Sequence, residues 1–248
     1  MKEDNILLAG IEDKIEQCRK KDIVSYSDFL DLRQRTIAAK VCKEYEGLNF
    51  RFYGGYEDAE RTLLIFLPDY AILENYNPLA LLRITQDGYR ELSHRDYLGS
   101  LTGLGIKREM IGDILVRKDG ADVIVKKDMG DFLLYNYEKA GRVYLKVEIL
   151  SIQDIIIPEG RFEEKRDSVA SLRLDNIIAS AFSLSRSKAV EAINGGAIYI
   201  NGLQCDKPDR LLKEGDKLVL RGKGKVVLQS IGGTTKKDRI FILIQKYL

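Results

Sequence analysis

The chain has 248 residues, 45% apolar and 31% charged, with 40 lysines and arginines against 38 aspartates and glutamates. That length allows two or three domains with substantial cores, and the near-neutral balance by itself selects no class of partner. Cys18, Cys42 and Cys205 are scattered and never form a C-x-x-C pair, which argues against a disulfide framework or a zinc site and fits a reducing compartment. No run approaches 18 apolar residues and the N-terminus MKEDNILLAG is charged from the outset, so neither a membrane span nor a secretory signal is expected. The expected location is cytoplasmic.

Residues 1–21 read as a helix with Ile6, Leu7, Ile11 and Ile15 on one side. A second helix follows, with Ser27 or Asp28 as cap and Phe29, Leu32, Ile37 and Val41 among its apolar positions. Two short strands are predicted at 50–53 and 62–67, joined through Gly54-Gly55. Tyr53 and Tyr56 beside that turn either stack on bases or finish a small core. Asn75-Tyr-Asn-Pro78 marks a domain boundary. Beyond it the order is strand 79–85, helix 95–104, hairpin 111–117 and 122–126, helix 128–140, strand 142–150. This β-α-β-β-α-β order is the ferredoxin-like unit on which many RNA-recognition domains are built. The fold hosts many functions, and the aromatic strand motif of those domains is missing here. Residues 158–170 read as a linker of mixed charge.

The charge asymmetry lies after it. From Arg166 onward there are 15 basic and 8 acidic residues, against 25 and 30 in the first 165. A basic end on an acidic body points to one anion-binding module. Leu174, Ile177, Ile178, Ala181 and Phe182 recur at helical spacing and form one apolar face. Ser183 or Ser185 can cap a second helix burying Ala189, Val190 and Ile193, and Gly195-Gly196 end it. A strand at 197–200 runs into Asn201-Gly202, a strong hairpin-turn signal, and strands at 217–220, 225–231 and 239–245 follow. Arg173 opens the first helix, while Ser185, Arg186, Ser187 and Lys188 crowd the start of the second. Helix starts present free N–H groups and partial positive charge, so these positions suit phosphates. Lys207, Arg221, Lys223, Lys225, Lys236 and Lys237 extend the cationic set, the middle ones among glycines that let a backbone approach phosphate.

The segments RLD before an apolar helix, LSRSKA, YING, KPDRLLKEGD and LVLRGKGK resemble the alpha-L, or S-four, RNA-binding domain. Upstream, FLDLRQRTIAAKV, FYGGYEDAER and HRDYLGSLTGLGIKREMIGDILV resemble the bacterial YlmH family, so the resemblance covers nearly the whole chain. It implies an α+β multidomain protein: an N-terminal domain over 1–75, a central ferredoxin-like domain over 76–157 and an S-four domain over 171–248. It further implies a non-enzymatic, monomeric factor that binds structured RNA, ribosomal RNA or peptidyl-tRNA, at the large ribosomal subunit. The implied process is ribosome-associated quality control, with a link to cell division. By motif, the RNA-facing residues are Arg173, Ser185, Arg186, Ser187 and Lys188, with Lys207 and Arg221. Asp175 either orients an arginine or touches RNA. The tail GGTTKKDRIF is similar to a family ending of the type G-x-T-K-K-G-R, with Asp238 in place of the glycine.

The competing reading is an RNA-modifying enzyme of pseudouridine-synthase type with an undetected active site. Arg173-Leu174-Asp175 mimics part of a G-R-L-D motif, but Leu172 stands where the glycine belongs. No G-x-x-x-x-G-K-[ST] loop is present, and the nearest candidate for a methyltransferase glycine turn, Gly54-Gly55-Tyr-Glu-Asp, is followed by acidic residues that do not suit phosphates. The single histidine, His94, either contacts RNA or packs at a helix start. Lys107 and Arg108 either hold a second phosphate or complement a helix dipole. Neither a cofactor nor a metal is expected.

Overall fold

The computed structural model describes residues 2–86, 91–158 and 162–247. The chain divides into two compact units, Met1–Pro158 and Glu159–Leu248. Among the described residues, no helix is long and apolar enough to cross a membrane.

The first unit opens with α1 (Lys2–Lys21), β1 (Ser25–Tyr26), α2 (Leu32–Cys42), β2 (Phe50–Tyr53) and β3 (Leu63–Phe66). The strands pair antiparallel in the order β1-β3-β2. The helix start differs from expectation. Asp31 caps α2 in a reciprocal box with Gln34, while the Ser27 hydroxyl accepts from the Leu64 N–H at 2.9 Å. Phe29, drawn into the core, holds the preceding residues extended. β3 is apolar along its whole length because both of its faces are covered. Leu64 and Phe66 pack under the helices with Ile11, Ile15 and Cys42, whereas Leu63 and Ile65 point the other way.

That other side is the central sheet: β4 (Leu79–Gln86), α3 (His94–Gly103), β5 (Ile111–Val116), β6 (Gly120–Lys126), α4 (Gly130–Asn136), β7 (Lys139–Ala140) and β8 (Val143–Leu150). The strand order is β5-β6-β4-β8-β7 with antiparallel neighbours, the ferredoxin-like arrangement with one short added strand. α4 is shorter than expected, since Tyr137 leaves the helical region and 139–140 pair with β8 instead. One sheet face carries α3 and α4 over a core of Leu82, Ile84, Tyr97, Leu101, Val123 and Leu133. On the opposite face, Leu79, Leu81 and Ile124 share a core with Phe29, Leu63 and Ile65. The boundary at Asn75–Pro78 therefore separates two sheets rather than two bodies. A Cβ on Gly112 would lie 2.8 Å from the Phe29 ring, so only glycine admits this join.

The second unit contains β9 (Phe162–Val169), α5 (Leu174–Ala181), α6 (Arg186–Asn194), β10 (Ile198–Ile200), β11 (Leu203–Gln204), β12 (Lys217–Leu220), β13 (Gly224–Thr234) and β14 (Ile240–Tyr247). Its sheet runs β11-β10-β12-β13-β14-β9. The expected linker is corrected here: residues 162–169 form the edge strand β9, in register with β14 from Phe162↔Tyr247 to Val169↔Ile240. Residues 159–161 of that segment lie outside the described residues. Leu174, Ile177, Ile178 and Ala181 of α5, with Ala189 and Ile193 of α6, pack onto Leu218, Val226, Leu228, Ile242 and Ile244. Gly196 takes a left-handed φ of 70° after α6, and Asn201 (50°) and Gly202 (79°) make the β10–β11 turn.

Candidate nucleic-acid interface

The C-terminal unit places its cations around one buried carboxylate. Asp175, in the first turn of α5, is 1% exposed. It accepts from Arg173 Nε and Nη2 at 3.1 and 3.3 Å and from Arg186 Nε at 2.9 Å. The two arginine side chains are themselves 38% and 62% exposed. A carboxylate is thus buried beneath two guanidiniums whose remaining N–H groups face solvent. Burial alone would raise the Asp175 pKa, but hydrogen bonds from Arg173 and Arg186 outweigh it and hold the carboxyl below its usual range. At pH 7 the carboxylate is charged and brackets both cations.

The two helix starts differ. At α5 the Leu174 and Asp175 N–H groups donate to the Arg210 and Pro208 carbonyls at 2.8 and 3.0 Å. That end is closed by the loop carrying Lys207, so there the expected anion site reduces to the Arg173 side chain. At α6 the Ser185 hydroxyl caps the Lys188 N–H, and the Ser185 and Ser187 hydroxyls lie 3.1 Å apart. The Arg186 and Ser187 N–H groups have no partner among the described residues. Two N–H groups, two hydroxyls and two cations therefore converge at the α6 start, a donor set suited to phosphate oxygens.

Lys188 also faces a second feature. With Arg221 and Lys223 it lines a groove of about 560 Å³ between α6 and the turn after β12. The Arg221 guanidinium lies 5.5 Å from the Tyr199 ring centroid and donates to the Tyr199 hydroxyl.

Two family models match the chain, one described as "Putative RNA-binding domain in YlmH" over residues 74–154 and one as "S4 domain" over 172–218. A Bacillus subtilis (strain 168) protein named "Ribosome-associated protein quality control protein P2" is 34% identical over 226 residues, 90% of this chain and 86% of the relative. The chain belongs to the YlmH family. The solved structure named "Cell division protein ylmH from Streptococcus pneumoniae" covers 62% of this chain and 94% of its own, with a TM-score of 0.53 at 20% identity, a likeness of fold.

In this YlmH-family chain the sequence-derived residues fall into three groups. Arg173, Ser185, Arg186 and Ser187 gather at the Asp175 bracket, with exposed Lys207 in the adjoining loop. Lys188, Arg221 and Lys223 gather at the groove, and Lys225 follows on β13 with its ammonium 4.7 Å from the Tyr247 ring centroid. Lys236 and Lys237 sit in the turn after β13, at the far end of that strand from Lys225. Nine steps of ~3.3 Å along a strand with two register shifts, at most roughly 30 Å, take the chain from Lys225 to Thr234, so this pair sits apart from the others. Tyr199 was missed; it alternates with buried Ile198 along a strand too short to show a pattern.

The upstream candidates resolve differently. Tyr56 donates to Asp113 at 2.8 Å and packs with Tyr53 against the shared core, so both finish a core. Arg108 folds back onto the Ile111 and Gly112 carbonyls, and burial lowers its pKa to about 10. His94 is the first residue of α3, directly after the capping Ser93.

Proposed function

We propose that this chain is a non-enzymatic RNA-binding factor of the ribosome, gripping ribosomal RNA or peptidyl-tRNA at the large subunit in ribosome-associated quality control. It works as a cytoplasmic monomer, with a link to cell division. The observation that carries this reading is the Asp175 bracket: two arginines fixed by one buried carboxylate, beside a helix start with unpartnered N–H groups. Prefixed cations bind phosphate without refreezing their side chains, and their affinity falls steeply with salt. The relative's name and the two family descriptions point the same way.

The bracket also weighs against modification chemistry at the RLD segment. A catalytic aspartate must reach a base, whereas this carboxylate is 1% exposed and covered by two guanidiniums. Ultraviolet crosslinking in cells followed by RNA sequencing tests the reading. Reads concentrated in large-subunit ribosomal RNA or tRNA, and lost in an Arg173→Ala/Arg186→Ala variant, support it. Reads spread over messenger RNA, or new uridine isomers in ribosomal RNA incubated with the pure protein, would overturn it.

A further inference from the structure

The groove beside the bracket holds something a phosphate clamp does not need. Lys188, Glu191, Ala192 and Gly195 fall at i, i+3, i+4 and i+7 of α6 and its end, and all four line the groove. Ala192, Ala197 and Leu220 supply its apolar lining, while Arg221 and Lys223 close the other side. The turn there is fixed by the Arg221 N–H to the Ala197 carbonyl at 3.0 Å and the Lys223 N–H to the Leu220 carbonyl at 2.9 Å.

Three cations and one carboxylate thus surround an apolar lining. The side chains of Lys188, Glu191 and Lys223 make no hydrogen bond or ion pair among the described residues. A carboxylate repels phosphate and only accepts hydrogen bonds, so Glu191 is suited to a ligand that brings both donors and negative charge. An unpaired nucleotide does so. The guanidinium of Arg221, held by its bond to the Tyr199 hydroxyl, offers a face for a base, and the apolar lining takes the rest of the ring. Among the bases, guanine presents two adjacent donors, N1–H and the N2 amine, which match the two oxygens of one carboxylate.

Resting on the RNA-binding reading above, we propose that this groove takes one unpaired guanine of the bound RNA. Glu191 accepts from its Watson–Crick edge, Arg221 stacks on its face, and Lys188 and Lys223 hold the flanking phosphates. The groove's volume lies within the ~300–1,000 Å³ range of small-ligand pockets.

Fluorescence anisotropy with the full-length protein tests this on five RNA hairpins, four differing only in one bulged nucleotide and one fully paired. The bulged-guanine hairpin should bind about tenfold tighter than the bulged-uridine one, the discrimination of a good bidentate contact. Glu191→Gln should bring that ratio close to one without weakening the paired hairpin. Lys223→Ala should weaken the bulged hairpins more than the paired one. A guanine preference that survives Glu191→Gln overturns the assignment. Equal, salt-sensitive affinity for all five hairpins overturns the groove's role and leaves the RNA-binding reading standing. Failure to bind any of them removes both.

Discussion

Replacing Asp175 by asparagine separates two opposite roles for the buried carboxylate. If it merely neutralises the arginines, removing its charge strengthens RNA binding; if it holds them in place, removal weakens it. The repulsion is modest: a phosphate roughly 7 Å beyond this buried carboxylate feels ~2.4 kcal/mol at an effective dielectric constant near 20, which physiological salt screens to about 1 kcal/mol, about fivefold in affinity. Loss of order is larger. The asparagine amide turns an N–H toward guanidinium donors, so the three contacts at 2.9–3.3 Å from Arg173 and Arg186 fall to two at most, without the charge that strengthened them. Refreezing a long, flexible side chain then costs on the order of tenfold in affinity for each that is released. Asp175→Asn should therefore bind a ribosomal RNA fragment about 2- to 20-fold more weakly, measured by anisotropy across a salt series. The C-terminal unit should also lose ~1–3 kcal/mol of stability. Because the folded pKa of Asp175 is depressed, this stabilisation is complete above the unfolded value near 4 and fades as pH falls through the folded one. Thermal melts of the wild type should drop below about pH 4, and those of the variant less so. Equal or tighter RNA binding by Asp175→Asn would refute the positioning role.

Arg186→Ala should weaken RNA binding about tenfold and reduce the slope of log affinity against log salt by about one, the signature of one lost phosphate contact; an unchanged slope would mean Arg186 touches no phosphate. In the first unit, Asp122 is 0% exposed and accepts from Arg83 at 2.9 and 3.1 Å, from Arg117 and from the Ile156 N–H at 2.8 Å. Asp122→Ala should cost about 3 kcal/mol in urea unfolding, because Arg83 and the buried Arg117 lose the buried carboxylate that pairs them and Arg117 keeps only the exposed Asp119, and should spare RNA binding by the C-terminal unit. Asp238 adopts a left-handed φ of 53° in the turn after β13, so Asp238→Gly should be neutral or stabilising by up to ~1 kcal/mol in thermal melts; a clear loss would show that the side chain supports the turn.

The elements that set their own boundaries were the ones readable in the sequence. α5 carries a strong 3.6-residue pattern, Ser185, one of two expected candidates, caps α6, and Asn201-Gly202 turns as its residue types require. β9 was not readable, because FEEKRDSV buries only Val169 and its place is set by backbone pairing with β14. Charged side chains are what an edge strand carries to discourage further pairing, and in sequence they look like a linker. The break at Asn75–Pro78 was legible as local turn chemistry, whereas the core that joins Phe29 to Leu81 and Ile124 across it was not. At the site, residue types identified the cations, but only the fold shows which ones Asp175 ties together and that the loop from Lys207 closes the α5 start. Lys236 and Lys237 match the others in type, and the length of β13 separates them.

Cosedimentation with purified large ribosomal subunits over a salt series tests the central claim most directly. The wild-type protein should pellet with the subunits and be released steeply as salt rises, while Arg173→Ala/Arg186→Ala stays in the supernatant. Salt-insensitive pelleting of the wild type, or pelleting of the double variant at the wild-type level, would contradict it.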